Sequence, residues 1–124
     1  MAARLDHTIV AARDALASAT FLAEVLGLDP PVRMAHFQAV VTGNGVSLDF
    51  AATDDDIVPQ HYAFLVDEDD FDAIFGRVRD RGLPYWAYPQ RRRPNEINTD
   101  HGRRVYFPDP AGHYLEILTR SYGS

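Results

Sequence analysis

Tyr106-Phe107-Pro108-Asp109-Pro110-Ala111-Gly112-His113-Tyr114-Leu115-Glu116-Ile117-Leu118-Thr119 is the stretch on which the reading of the fold turns. It spells a strand end, a tight turn and a second strand. The prolines fix φ, and Gly112 supplies a position with φ > 0. Beyond the turn the pattern alternates: Leu115 and Ile117 share one face, while Tyr114, Glu116 and Leu118 share the other. A carboxylate in the middle of an apolar strand is costly unless it is paired, solvated or bound to a cation.

Working outward, the chain repeats itself at half length. Leu5, His7 and Ile9 alternate as a first strand. Asp14 is placed to cap the next helix, whose apolar stripe is Phe21, Leu22, Val25 and Leu26, and Gly27 with Asp29-Pro30-Pro31 ends it. Val32 to Val41 reads as one strand. Thr42-Gly43-Asn44-Gly45 is a hairpin signal, and Val46, Leu48 and Phe50 line one face of the strand after it. Residues 52–60, with three successive aspartates and Pro59, form the linker.

The second half follows the same order. His61 to Val66 is a strand, and an acidic run from Asp67 to Asp72 opens a helix carrying Phe71, Ile74, Phe75 and Val78 at helical spacing. Tyr85 to Tyr88 is a strand, Gln90 to Pro94 a basic loop, and Glu96-Ile97-Asn98 a short strand. The last two strands are Arg103 to Phe107 and His113 to Thr119. The expected class is α+β: two strand–helix–three-strand modules, one at about 4–52 and one at 61–120, joined by a linker at 53–60 within a single domain of residues 1–124.

Composition excludes several functions. The formal net charge of −6 disfavours nucleic acid and anionic membrane surfaces. The absence of cysteine removes disulfides, thiolate nucleophiles and Cys-ligated zinc. No segment is apolar and long enough to span a bilayer and no signal peptide is visible, so the expected location is the cytoplasm.

The repeat also aligns chemistry. His7 and His61 each open the first strand of a half; Asp49 and Glu116 each sit midway along its last strand. His7 lies 54 residues before His61, and His61 lies 55 before Glu116. If the halves curl around a shared cleft, His7, His61 and Glu116 converge as two imidazoles and a carboxylate. Such a set suits Fe(II), Mn(II), Zn(II), Ni(II) or Co(II), with open positions for substrate. Asp49 is either a fourth ligand or an outer acceptor. The plainer alternatives are strand-end histidines, a solvated Asp49, and a Glu116 paired with Arg103 or Arg104. His101, in a loop, is a candidate to reach substrate. Tyr106 is a candidate hydroxyl donor to an oxyanion. His36 and His113 have weaker claims. Arg91-Arg92-Arg93 reads as a solvated loop answering the acidic stretch 54–72, or as an entrance for an anionic substrate.

The sequence resembles the vicinal oxygen chelate superfamily of glyoxalases, extradiol dioxygenases, fosfomycin-resistance thiol transferases and bleomycin-resistance proteins. The marks are Leu5-Asp6-His7, Val25-Leu26-Gly27-Leu28, His61-Tyr62-Ala63-Phe64 and above all Val105 to Glu116. The resemblance implies paired βαβββ modules forming an open barrel-like mixed sheet around a divalent metal, with His7, His61 and Glu116 as ligands. It further implies a homodimer, with halves exchanged in some members, and a small-molecule substrate. Asp49 stands where metal-dependent glyoxalase I enzymes carry Glu, and no potassium loop of the fosfomycin type is evident. The expectation is a small metalloenzyme, with dioxygenase, lyase/isomerase and thiol transferase unresolved. The alternative is a metal-independent antibiotic- or ligand-binding protein of the bleomycin-resistance kind.

Overall fold

Local signals start and stop the elements as their chemistry requires. The computed structural model describes residues 2–122 and divides into two units, Met1–Ile57 and Val58–Ser124. In the first, β1 (His7–Ala12) leads to α1 (Ala15–Leu26). Asp14 caps this helix by accepting the Ala17 amide, and Gly27 ends it in the left-handed conformation at φ 72°. Then come β2 (Val32–Met34), β3 (Phe37–Val41) and β4 (Ser47–Ala52). The strands line up in the order β1-β4-β3-β2, with β1 parallel to β4 because the helix carries the chain back across the sheet. Helix α1 packs on β1, β3 and β4, burying Val10, Leu22, Val25, Val40, Leu48 and Phe50.

The second unit repeats the plan. It runs β5 (His61–Leu65), α2 (Glu68–Asp80), β6 (Trp86–Tyr88), β7 (Arg92–Pro94), β8 (Arg104–Pro108) and β9 (Tyr114–Leu118), in the order β5-β9-β8-β6-β7. Asp67 caps α2, and Glu68, Asp69 and Asp70 complement its dipole. Phe71, Ile74 and Val78 are buried, as are Val105, Phe107, Leu115 and Ile117 along one sheet face. Arg103 lies over Phe71 and pairs with Glu68 and Asp72, at 2.8 and 2.7 Å.

Three expectations are revised. Val32 to Val41 is two antiparallel strands, broken at Ala35 with φ 56°, and the exposed His36 sits in that turn rather than in a strand. The basic loop contains β7, whose Arg92 pairs with Tyr88 and Pro94 with Trp86. Glu96-Ile97-Asn98 contributes only a bridge from Asn98 to Arg104. The βαβββ count is thus complete in the first unit and extended by a short edge hairpin in the second. No helix among the described residues is long and apolar enough to cross a membrane.

Candidate metal centre

The turn before Glu116 is built by Asp109. Its Oδ1 accepts the amides of Ala111 and His113, at 3.0 and 2.8 Å, and its own amide donates to the His113 carbonyl. Gly112 takes φ 91°, which a Cβ would strain. Burial pushes the Asp109 carboxyl above its ordinary value, against the pull of these amides. The turn also fixes His113, whose buried Nδ1 accepts the Gln60 amide at 3.0 Å. His113 is a core group that anchors the chain entering β5.

That register sets Glu116 beside Ala63 of β5 and Tyr106 of β8, with Tyr106 beside Trp86 of β6. His61, opposite Tyr114 on the same face, turns its ring so that Nε2 lies 3.0 Å from Glu116 Oε1. Its Nδ1 stands 3.2 Å from the Tyr114 carbonyl. Both ring nitrogens thus face oxygen acceptors; a cation taking the place of the proton between Nε2 and Glu116 would leave Nδ1–H on the carbonyl and Nε2 as the ligating nitrogen.

Glu116 is 1% exposed, and its buried Oε2 has no hydrogen-bond partner among the described residues. Arg104 Nη1 lies 3.9 Å from it, too far for a hydrogen bond. Arg104 is buried as well; its Nη2 donates to the His101 carbonyl at 3.3 Å, and its guanidinium lies 4.3 Å from the Tyr122 ring centre. Tyr106 places its hydroxyl 3.4 Å from that of Tyr122. Burial first, then Tyr122 and Glu116, raise the Tyr106 phenol well above its ordinary value of 10.0, so at neutral pH it is a protonated donor. The ring of His101 is engaged through Nε2 with the Ser121 carbonyl at 3.1 Å.

In the first unit the register is the same. His7 faces Ser47, and Asp49 lies across from Ile9. His7 Nδ1 meets Asp6 Oδ2 at 2.7 Å, and this contact raises the His7 pKa above its ordinary 6.5, with Asp49 adding a smaller push. Asp49 is occupied by the Ser47 hydroxyl at 2.6 Å. His61 and Glu116 are therefore brought together, whereas among the described residues no group of three His, Cys, Asp or Glu side chains forms a metal-sized cluster.

Beside His61 and Tyr106 lies a cavity of about 450 Å³, walled also by Trp86, Tyr88, Arg91 and Tyr114. The three aromatic residues of the β6–β8 region thus line a cavity, a role that apolar periodicity alone does not distinguish from core.

The chain matches the Glyoxalase/Bleomycin resistance protein/Dioxygenase superfamily over residues 4–117. Among solved structures, Oxidase ChaP-H2 is 60% identical with a TM-score of 0.96, the match covering 100% of this chain and 98% of that one. Oxidase ChaP-H1 is 56% identical, also at 0.96, over 99% and 100% of the two chains. Glutathione transferase FosA of Serratia marcescens is 32% identical over 119 residues, 91% of this chain and 78% of that protein. Its relatives are thus named as enzymes, and the chain itself belongs to the glyoxalase/bleomycin resistance protein/dioxygenase superfamily, the vicinal oxygen chelate group.

Proposed function

We propose that this protein is a divalent-metal-dependent enzyme that oxidises a small organic molecule held through its oxygen atoms, with His7, His61 and Glu116 as the metal ligands. The observation that carries the reading is Glu116: a buried carboxylate with one oxygen on His61 Nε2 and the other unpartnered. An orphaned buried carboxylate oxygen is expensive, and a cation between it and the imidazole removes the cost. Both candidate histidines support the fit, since each has Nδ1 on an oxygen acceptor, Asp6 or the Tyr114 carbonyl. The two ChaP relatives favour oxidation as the reaction class.

When bound, the metal supplies Lewis acidity and a template for two substrate oxygens. The chain supplies the rest. Arg104 offsets the Glu116 charge, the protonated Tyr106 hydroxyl donates to an oxygen that gains negative charge, and the aromatic walls exclude water. His101 enters through its carbonyl, which holds Arg104.

The test is metal analysis of protein purified without added metal, beside His61→Ala. Metal in the first and not in the second is expected; none in either after reconstitution sinks the reading. If iron binds, oxygen uptake with a catechol is assayed first. If nickel, zinc or manganese binds, hemithioacetal isomerisation and thiol transfer follow, the latter being the activity in the name of the FosA relative. The aromatic cavity also favours a second reading, a metal-independent ligand holder. Stoichiometric binding without turnover, unchanged by Glu116→Gln, would select it.

A homodimer belongs to the proposal. Ile9, Val32, Met34 and Val41 are exposed on the sheet face that carries His7 and Asp49, and burying them favours association. A solution mass near 13.9 kDa by light scattering would refute it.

A further inference from the structure

The cavity of the second unit combines ring walls with a single cation. Five rings, those of His61, Trp86, Tyr88, Tyr106 and Tyr114, face it together with Arg91. Its volume, about 450 Å³, suits a ligand of two to four fused or linked rings. Aromatic walls take a flat partner best, in offset or edge-on contact. The His61 and Tyr106 rings already lie 5.8 Å apart at 31°, so a planar guest meets tilted faces rather than a smooth aliphatic wall.

Arg91 differs from its neighbours. Arg92 and Arg93 both lie over Tyr88, at 5.5 Å, and Arg93 also approaches Glu96 at 4.0 Å. Arg91 lies 5.3 Å from the Trp86 ring centre, and no carboxylate among the described residues pairs with it. Its backbone is held left-handed, φ 59°, directly after Gln90 at φ 62°. Consecutive left-handed residues without glycine are costly, and this turn holds the exposed Arg91 at the rim of the cavity, over Trp86. In a chain of net charge −6, the run Arg91-Arg92-Arg93 concentrates positive charge here, and Arg91 is the member that lines the cavity. A cation–π contact at an exposed site is weaker than a bidentate pair with an anion, so an arriving anion displaces Trp86 as the partner of Arg91.

We infer that the cavity takes a planar aromatic ligand bearing an anionic substituent, and that Arg91 is the residue that reads the anion. The inference deepens the functional reading above, because His61 lines the same cavity and its Nε2 faces Glu116.

Trp86 is the chain's single tryptophan and therefore reports occupancy of this cavity by its emission. Metal-stripped protein is titrated with 2-naphthoate, with neutral 2-naphthylmethanol and with non-aromatic cyclohexanecarboxylate, by calorimetry and by Trp86 fluorescence. The expected result is that 2-naphthoate binds about tenfold tighter than either control and shifts the Trp86 emission. Arg91→Asn, a residue that tolerates the left-handed backbone, removes the preference for naphthoate over naphthylmethanol; Arg91→Lys keeps part of it. Arg79→Gln, on the exposed surface of α2, leaves it unchanged. The inference is overturned if none of the three binds, if the neutral probe equals the anion in the parent protein, if the preference survives Arg91→Asn, or if saturable binding leaves Trp86 emission unmoved. Because the metal is absent throughout, failure here leaves the metal-content test standing, and failure of that test leaves this one readable.

Discussion

Aligned by register, the two sheets place four residues in equivalent rows: Ile9, Asp49, Ala39 and Val32 in the first unit, Ala63, Glu116, Tyr106 and Trp86 in the second. Each row carries one carboxylate, with a histidine two residues before the row on its first strand; His61 contacts Glu116, whereas His7 contacts Asp6. The surroundings differ. Asp49 is half-buried and answered by Ser47, between a buried Ala39 and an Ile9 that is 59% exposed, while Val32 at the edge of the row is 61% exposed. Glu116 is sealed beside Tyr106 and Trp86, with Arg104 as a distant counter-charge. A duplicated backbone therefore sets where a carboxylate stands, and the neighbouring side chains decide whether it is satisfied or left with capacity for a ligand.

The largest expected effect separates the two carboxylates directly. Glu116→Gln lowers metal affinity by well over about a hundredfold, while Asp49→Asn stays within the roughly 10–100-fold that loss of an outer partner costs. Metal titration with elemental analysis measures both, and equal losses would break the distinction. Next is Arg104→Met, which leaves Glu116 an uncompensated buried charge. It destabilises the metal-free protein by about 3 kcal/mol in urea unfolding, and added metal shrinks the loss. A loss that metal does not touch would make Arg104 a packing residue only.

The turns offer a smaller contrast. A Cβ at Gly102, φ 66°, would meet Thr119 Oγ1 at 2.6 Å and Arg120 Cγ at 2.9 Å, whereas one at Gly43 meets nothing within 4 Å. Gly102→Ala costs about 2 kcal/mol and Gly43→Ala stays within about 0.5 kcal/mol by thermal unfolding. The smallest effect concerns His7. Asp6→Asn returns its raised pKa toward the ordinary 6.5, as read by NMR titration of the ring. Since the folded value is raised, the stabilisation from the protonated pair is complete below the ordinary value and fades as pH rises through the raised one. An unmoved pKa would shift the cause from Asp6 to Asp49.

Much of this plan could be read from residues whose physics is local. Asp14 and Gly27 cap the helix expected of them, the acidic run from Asp67 opens the second helix, and the Pro108-to-Gly112 turn sets Glu116 inward. The break at Ala35 was illegible because nothing in Met34-Ala35-His36-Phe37 is a turn former; tertiary pairing of β2 with β3 imposes it. The strand β7 was hidden for the converse reason: two arginines and a proline oppose strand propensity, and the contacts of both guanidinium groups with Tyr88 compensate. Burial of Arg104 and His113 also escaped composition-level reasoning, since both residue types normally face water and are retained inside only by their specific partners. That Glu116 meets Arg104 and not Arg103 follows from face parity: Arg103 points to α2 and is consumed by Glu68 and Asp72.

The parallel pairing of first and last strands has a kinetic consequence. His61 pairs with Tyr114 and His7 with Ser47 across the helix and hairpins between them, so these contacts close long loops and carry a large loop-closure cost. Hairpins such as β8–β9 form on the microsecond scale and need no such closure. The zipping of β5 onto β9 is accordingly a late folding step and an early one to open, and backbone amides of β5 should exchange with solvent before those of β8. Any ligand that bridges His61 and Glu116 therefore acts as a latch on the final step, and its binding free energy stabilises the closed unit as a whole.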